Sequence, residues 1–392
     1  MKNAVKIALG VILFILVAIL LGRVLPVPAF YSDFMSLYHA VAGWQQGHSF
    51  YDFGTQQSMM FETTRIAKPD FDIELYPYFP YPPWYLIGTF FLGWLSFEWA
   101  YRTWLIINVG ILALSALLVT ANEKREIKTG AIIAFILYFP AVGLYVIGNY
   151  TLPVLVGAAL LLYAARKEDA PLSALGIALM TFKPHIGILL GLFGYGWMWM
   201  QNAPFARRAR WVTPLAGIIL AALGWLLEPN WISGLYNAMY TWQTSSYIQT
   251  CTYCSSPANL IMRFLGTEAG MLSSSLPSIL LFALAAILVW LRRKFAFSDL
   301  EKTIAVAAAL TAVVLPYMVN YDYVILLIPL TIAFVRYKNR LQRIFIAFLY
   351  LLPWVGIVIG RAGSVYITLT GVALFFFLLF VREPELEALQ KA

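Results

Sequence analysis

The chain has 392 residues, of which 61% are hydrophobic and only 12% are charged, and its net charge is +8 at pH 7. A soluble domain carries about 25% charged residues, whereas apolar stretches near the ~20-residue length that spans a bilayer recur here to the end of the chain. This composition excludes an ordinary soluble protein. We expect residues 1–392 to form a single integral membrane domain, in which the excess of Lys and Arg is first a signal of topology rather than of nucleic-acid binding.

The apolar stretches predict an all-α polytopic membrane protein. The first run begins after MKNAVK, continues to Leu25 and has no good small-residue cleavage site before Asp33, so we expect an uncleaved first span. About twelve spans are predicted by length and hydropathy, at residues 5–25, 101–120, 129–147, 151–165, 171–183, 185–200, 211–227, 277–291, 303–319, 321–336, 341–360 and 364–381.

The apolar run Tyr81–Phe97 decides the predicted topology. If it spans the membrane, KREIK at 124–128 and every later basic loop fall outside. If it lies against the outer face, about three quarters of the 27 Lys and Arg residues lie inside, as the positive-inside rule requires. We therefore predict a multi-pass protein of the plasma (inner) membrane with both termini cytoplasmic and two long outer loops, 26–100 and 228–276.

The stretch Phe30–Asp52 follows directly on the first span. Apolar residues recur in it at helical spacing, opposite small and polar residues, which predicts an amphipathic helix in the membrane interface. Asp33 would lie in its first turn, where the helix dipole favours a carboxylate, and Gly47 is placed to end it. An ionisable group so close to a span is a functional candidate; the alternative is that Asp33 only caps its helix.

The predicted topology places polar residues from several separate segments on the outer side of the membrane. A polar cavity roofed by the two long loops would account for them together, whereas ordinary turns also select such residues. For Asn149 the turn interpretation is favoured, and for Asp322 a helix cap is slightly favoured over the positioning of a substrate hydroxyl or a cation. The set comprises Asp33, Asp52, Asn149, Lys183, His185 and Asp322.

Lys183-Pro184-His185 interrupts the apolar stretch 171–200. A lysine at the centre of a bilayer costs about 2.5–3.5 kcal/mol unless it reaches the surface or meets an anion. Pro184 breaks the helix and frees backbone groups beside the lysine. A lysine with a neighbouring histidine suits a phosphate, and a turn whose lysine reaches the membrane surface is an equal alternative.

Cys251 and Cys254 lie close together in the second long outer loop. In an oxidising compartment this spacing permits a local disulfide, whereas a metal site would need further ligands that are not found nearby. The sequence contains no phosphate-binding glycine loop and no Gly-x-Ser-x-Gly motif. The activated substrate of an enzyme with this topology must therefore arrive through the lipid.

Several motifs together resemble the GT-C superfamily of membrane glycosyltransferases. They are FYSDFMSLYHA with YD at 51–52, followed by YPYFPYPP. The later segments GNYTLPVLVGAALLLYAARK and LGIALMTFKPHIGILL are similar to glycosyltransferase family 87, which includes the α-mannosyltransferases that extend phosphatidylinositol mannosides. The similarity runs from Asp33 to Asp322, and the order and spacing of short motifs carry it.

The resemblance implies a GT-C-like helical bundle with interfacial helices in the first outer loop. It also implies an inverting transfer of a sugar, such as mannose, from a polyprenyl phosphate to a lipid or glycan hydroxyl on the outer face. Asp33 would be the general base, and Lys183 and His185 would hold the donor phosphate. Asp52 and Glu62 are candidates for a second acidic residue of the first outer loop. No cofactor, metal or nucleic-acid partner is expected.

Two other functions fit a polar cavity on one membrane face. A transporter or flippase of lipid-linked saccharides would show internal repeats and polar groups near the midplane, but no convincing repeat is found. An oligosaccharide ligase would be expected to carry more basic residues in its outer loops. The sequence leaves the sugar open between mannose, arabinose, glucose and others, and it leaves the acceptor open.

Overall fold

The computed structural model describes residues 16, 33–65, 79–244, 254–267, 273–359 and 363–381. Over these residues the fold is helical, and the only β pairing is an isolated antiparallel bridge between Cys254 and Val319. Two 3₁₀ helices occur at Phe90–Trp94 and Asn320–Leu326. The α-helices are α1 (Asp33–Gln45), α2 (Phe53–Arg65), α3 (Tyr85–Thr89), α4 (Phe97–Val119), α5 (Arg125–Leu137), α6 (Phe139–Ile147), α7 (Leu152–Arg166), α8 (Ala170–Met180), α9 (Pro184–Met200), α10 (Pro204–Leu227), α11 (Trp231–Thr244), α12 (Pro257–Phe264), α13 (Ser275–Leu291), α14 (Arg293–Ala296), α15 (Leu300–Val314), α16 (Leu327–Arg336), α17 (Arg340–Ile359) and α18 (Gly363–Phe380).

Only some of these helices are long enough to cross a membrane unaided. Within the described ranges, α4 with 23 residues and α10 with 24 meet the length and hydropathy of a span, and the pair α5–α6, bent by 55°, makes a third if it is counted as one span. The bend falls next to Pro140, which cannot continue the hydrogen bonding of a helix. The described residues are thus helical and include two or three helices that could span a membrane, while the bundle of about twelve spans is not confirmed. The first predicted span, 5–25, lies almost entirely outside the described residues.

Helices α7 and α15 form the centre of the core. Nearly every residue of α15 is buried, which is typical of a helix that is apolar on all sides. Helix α7 packs closely on α8 through two glycines, since a Cβ atom added to Gly157 would lie 2.6 Å from the carbonyl oxygen of Gly176. Larger residues at these two positions would force the helices apart.

Helices α1, α2 and α3 and the 3₁₀ helix Phe90–Trp94 pack against one another, and α1 and the 3₁₀ helix also contact α4. Helix α1 begins at Asp33 and ends at Gln45, and Gly47 with φ +89° ends it through bonds from Gly47 N to Trp44 O and from His48 N to Gly43 O. The membrane-interface position of α1 stays a prediction, and both faces of the helix are buried in protein. Its small-residue face is covered by α2, where Gly43 faces Met59.

The run Tyr81–Phe97 does not form a long helix. It contains α3 and the 3₁₀ helix Phe90–Trp94, and α4 starts only at Phe97. The apolar helical part, Tyr85–Trp94, is much shorter than the ~20 residues that a span needs. This length agrees with the prediction that the run does not cross the membrane.

Candidate functional site

A buried ion pair lies where the α8–α9 break meets the 3₁₀ helix Asn320–Leu326. Lys183 Nζ is 2.6 Å from Asp322 Oδ1, and the two side chains are 3% and 0% exposed. Lys183 has an extended backbone because it precedes Pro184, the first residue of α9. Asp322 also accepts a hydrogen bond from Val319 N at 3.2 Å, so it caps its own helix and pairs with Lys183 at the same time.

A threonine and an asparagine extend this pair toward α1. Thr151 Oγ1 lies 2.9 Å from Lys183 Nζ and 2.8 Å from Asp322 Oδ1. The backbone N–H of Thr151 donates to Asn149 Oδ1 at 2.8 Å, and Asn149 Nδ2 donates to Asp33 Oδ2 at 2.6 Å. One hydrogen-bonded network therefore joins Asp33 to Asp322 across four separate segments of the chain.

The turn that carries Asn149 is fixed by its neighbours in α1, α3 and α4. Trp104 Nε1 donates to Gly148 O at 2.9 Å, and the Tyr85 hydroxyl donates to Tyr150 O at 2.7 Å. Gly148 has φ +64°, and a Cβ atom there would lie 2.6 Å from Phe34 Cβ. Glycine at this position therefore allows α1, and Asp33 with it, to approach the turn.

Burial and nearby charge have opposite effects on the pKa of the Asp33 carboxyl group. The surrounding protein removes solvent from its carboxyl group and raises its pKa above the ordinary range. The charge of Lys183 and hydrogen bonds from Asn149 and Tyr321 act against this rise. The residue as a whole has intermediate exposure, whereas Asp322 is fully buried, so Asp33 is the more accessible of the two acids and its pKa is raised.

The network is enclosed by aromatic rings. Lys183 Nζ lies 5.7 Å from the ring centre of Tyr150 and 5.3 Å from that of Tyr321. Tyr81 lies next in this layer, with its ring centre 4.9 Å from that of Tyr150. Aromatic faces stabilise the ammonium group where water is excluded.

The structure brings together four of the seven residues predicted for the site. Asp33, Asn149, Lys183 and Asp322 belong to the network, so Asn149 is more than an ordinary turn residue. His185 makes no hydrogen bond through its buried Nε2 and faces the rings of Tyr81 and Tyr317.

The two other acidic candidates lie elsewhere. Asp52 caps α2 by accepting hydrogen bonds from Thr55 N and Thr55 Oγ1, and these bonds hold the pKa of Asp52 below its usual range. Glu62 is exposed on α2. Neither residue contacts the network, so the structure gives them no place in it.

Sequence reasoning missed Thr151, Tyr150 and Tyr321. Thr151 stands directly before Leu152-Pro153, a position typical of a helix cap, yet its hydroxyl makes no cap bond and contacts Lys183 and Asp322 instead. The two tyrosines resemble the many other aromatic residues of the outer loops. No local signal distinguishes them.

Two further expectations concern cysteine and metal. Cys254 is disulfide-bonded, whereas Cys251 lies outside the described residues. Among the residues that the structure describes, no three His, Cys, Asp or Glu side chains cluster as metal ligands would. The expectation of a metal-free reaction stays a prediction.

Comparison with protein families matches residues 79–319 to the model of glycosyltransferase family 87. The chain belongs to glycosyltransferase family 87. The match agrees with the resemblance of the motifs to a GT-C-type enzyme, and the transporter alternative has no support from it. Searches of curated proteins and of solved structures found no match. The family 87 region includes Asn149, Thr151 and Lys183 of this membrane glycosyltransferase, while Asp33 and Asp322 lie outside the matched residues.

Proposed function

We propose that this family 87 enzyme transfers a sugar, mannose by its resemblance, from a polyprenyl-phosphate donor to a hydroxyl group of a lipid or glycan acceptor. The transfer takes place at the extracytoplasmic membrane face and inverts the anomeric carbon. The observation that carries the proposal is the carboxylate of Asp33 at one end of the network, where it accepts a hydrogen bond from Asn149 Nδ2 at 2.6 Å.

Asp33 has the properties of a general base. The attacking acceptor oxygen forms a bond to the anomeric carbon as the bond from that carbon to the phosphate oxygen breaks. Asp33 takes the hydroxyl proton, and the polyprenyl phosphate leaves with the electron pair of the broken bond. Burial raises the pKa of Asp33, which makes its carboxylate a stronger base.

The second acid of the network supports an inverting reaction. A retaining double displacement needs a carboxylate nucleophile that can reach the anomeric carbon. Asp322 is fully buried and bonded to Lys183, Thr151 and Val319 N. Asp33 is the more exposed of the two acids of the network, and a direct displacement needs only one base.

Lys183 is the proposed contact for the donor phosphate. Two of its N–H groups point to Asp322 and Thr151, but its third neighbour, Asn149 Oδ1, is 3.5 Å away, which is too long for a good hydrogen bond. In this proposal an oxygen of the donor phosphate replaces this weak contact with Asn149. The positive charge would stabilise the phosphate as it leaves.

Two observations support a substrate that arrives through the lipid on the outer side. Helix α8 has 11 residues and is about 16 Å long, roughly half of the ~30 Å hydrocarbon core, so the Lys183 turn would lie within the depth of the membrane. The disulfide of Cys254 is expected in an oxidising compartment. The backbone of Cys254 forms an isolated antiparallel β bridge with Val319, which lies three residues before Asp322.

The test is turnover of Asp33→Asn with a panel of polyprenyl-phosphate sugars and host lipid extract, followed by mass spectrometry for a gain of one sugar. Asparagine keeps the size and the contact with Asn149 but cannot take a proton, so transfer should fall by about 10²–10⁴ while thermal stability is preserved. Asp33→Glu, which moves the charge by one methylene, should also be impaired. Full activity of Asp33→Asn would reduce Asp33 to a helix-capping residue.

A further inference from the structure

A separate cavity of about 100 Å³ lies next to the network, beyond the ring of Tyr81. It forms where the end of the first outer loop, the start of α9, helix α11 and the segment after α15 meet. The residues that define it are Tyr81, His185, Met239, Trp242, Gln243 and Tyr317. None of its lining residues carries a formal charge at neutral pH, apart from a histidine if it is protonated.

His185 supplies an unused hydrogen-bonding atom in this cavity. Its Nε2 is buried and makes no hydrogen bond with any described residue. A buried polar atom without a partner is unfavourable, and a ligand in the cavity that His185 lines could supply that partner. The group that it would bind is uncharged rather than a phosphate, because no Lys or Arg lines this cavity.

The other walls are aromatic. The ring of Trp242 stands at 83° to that of Tyr317, with 4.8 Å between their centres, and Tyr81 closes the opposite side beside His185. A site with apolar aromatic faces and a few polar groups selects an uncharged ligand that has both apolar surface and hydrogen-bonding groups. A sugar ring has this character, since its C–H faces pack on aromatic rings and its hydroxyl groups form hydrogen bonds at the edge.

We propose that this cavity binds one sugar ring of a substrate, with His185 Nε2 bonded to a ring hydroxyl. The inference rests on the proposed glycosyl transfer and reassigns His185 from the donor phosphate to a sugar. A cavity needs about 10–15 Å³ to hold one water molecule, so 100 Å³ accepts a single ring rather than an oligosaccharide. Tyr81, which lines the cavity, packs on Tyr150, whose ring centre lies 5.7 Å from Lys183 Nζ.

Binding can be measured without transfer. The full-length protein in detergent is titrated with methyl α-mannoside, methyl glucoside and methyl arabinoside, with saturation-transfer NMR as the readout. At least one glycoside should bind the wild type and Asp33→Asn equally. Trp242→Leu and His185→Phe should weaken it by at least about tenfold, and His185→Gln, which keeps a hydrogen-bonding group, should recover part of the loss. Trp211→Leu, which changes a tryptophan that is 74% exposed on α10, is the matched control.

Kinetic measurements on the same variants show whether the bound sugar belongs to the donor or to the acceptor. A rise in KM for the donor alone in Trp242→Leu assigns the cavity to the transferred sugar, and a rise for the acceptor alone assigns it to an acceptor sugar. Equal glycoside binding by wild type, Trp242→Leu and His185→Phe, or no binding to the wild type, would overturn the proposal. If Asp33→Asn stays fully active while Trp242→Leu loses glycoside binding, the base assignment fails and the sugar cavity stands.

Discussion

Lys183 and Asp322 depend on each other because both are buried. Removing one partner of such a pair leaves an uncompensated charge and costs about 3–5 kcal/mol, so Lys183→Met should lower the melting temperature as well as activity. The double variant Lys183→Met, Asp322→Asn should regain much of the stability. If it remains inactive when folded, Lys183 acts on the donor; if activity returns with stability, the pair has only a structural role. Wild-type stability of the single variant would show that the ion pair is not buried as described.

Tyr321 provides a second test at the level of a residue. Its hydroxyl bond lowers the pKa of Asp33, against the larger effect of burial. In Tyr321→Phe the carboxylate loses that bond, its pKa rises, and the base is protonated up to a higher pH. The acid limb of kcat/KM should therefore move to higher pH, with activity closest to the wild type at the alkaline end. Tyr236→Phe, at a position 69% exposed on α11, should leave the pH profile unchanged; an unmoved acid limb in Tyr321→Phe would argue against Asp33 as the titrating group.

At the level of the helices, the separation of α7 and α8 sets where Thr151 and Lys183 meet. Thr151 directly precedes α7, and Lys183 lies three residues after the end of α8. Gly157 and Gly176 allow the two backbones to come into contact. The close approach is therefore part of what positions the site.

Gly157→Ala should accordingly destabilise the protein by about 1–3 kcal/mol, because its Cβ would lie 2.6 Å from the carbonyl oxygen of Gly176. Gly130→Ala in α5 is the control, since nothing lies within 4 Å of its added Cβ; it should be neutral or stabilising by up to about 1 kcal/mol. Thermal unfolding in one detergent compares the two. Equal melting temperatures would mean that α7 and α8 do not pack as closely as described.

Across the whole molecule, the network and a second group of charges lie at opposite ends of α7. Helix α7 starts beside Thr151 and ends at Arg166, which is 2.7 Å from Glu301 at the start of α15. Arg336, at the end of α16, bonds to Asp299 at 2.7 Å and to Glu301 at 2.9 Å. In the predicted topology this second group lies on the cytoplasmic side and the network on the other.

Cysteine labelling tests that topology in intact cells. Glu126→Cys at the start of α5 should react only after the membrane is made permeable. Trp94→Cys, at a position 72% exposed in the 3₁₀ helix Phe90–Trp94, should react from outside without this treatment. Labelling of position 126 from outside would reverse the orientation and place Tyr81–Phe97 across the membrane.

The sequence by itself determined the class of protein, the family and the positions of the polar breaks. Gly148, Pro184 and the short apolar run Tyr81–Phe97 act locally: Gly148 permits a positive φ, Pro184 interrupts helical hydrogen bonding, and the run is too short for a span. The structure has turns or short helices at these places. The end of α1 before Gly47 follows from the same local rules.

Only the tertiary structure decided which polar residues meet. The Asn149–Asp33 bond joins residues 116 positions apart, and the Thr151–Asp322 contact joins residues 171 positions apart. Asp52 and Asp33 are both acids near helix starts in the same loop, yet Asp52 binds its own helix and Asp33 binds Asn149. A turn depends on residues that are neighbours in the sequence. The partner of a side chain depends instead on how helices that are distant in the sequence pack, and a single sequence does not give the distances between those helices.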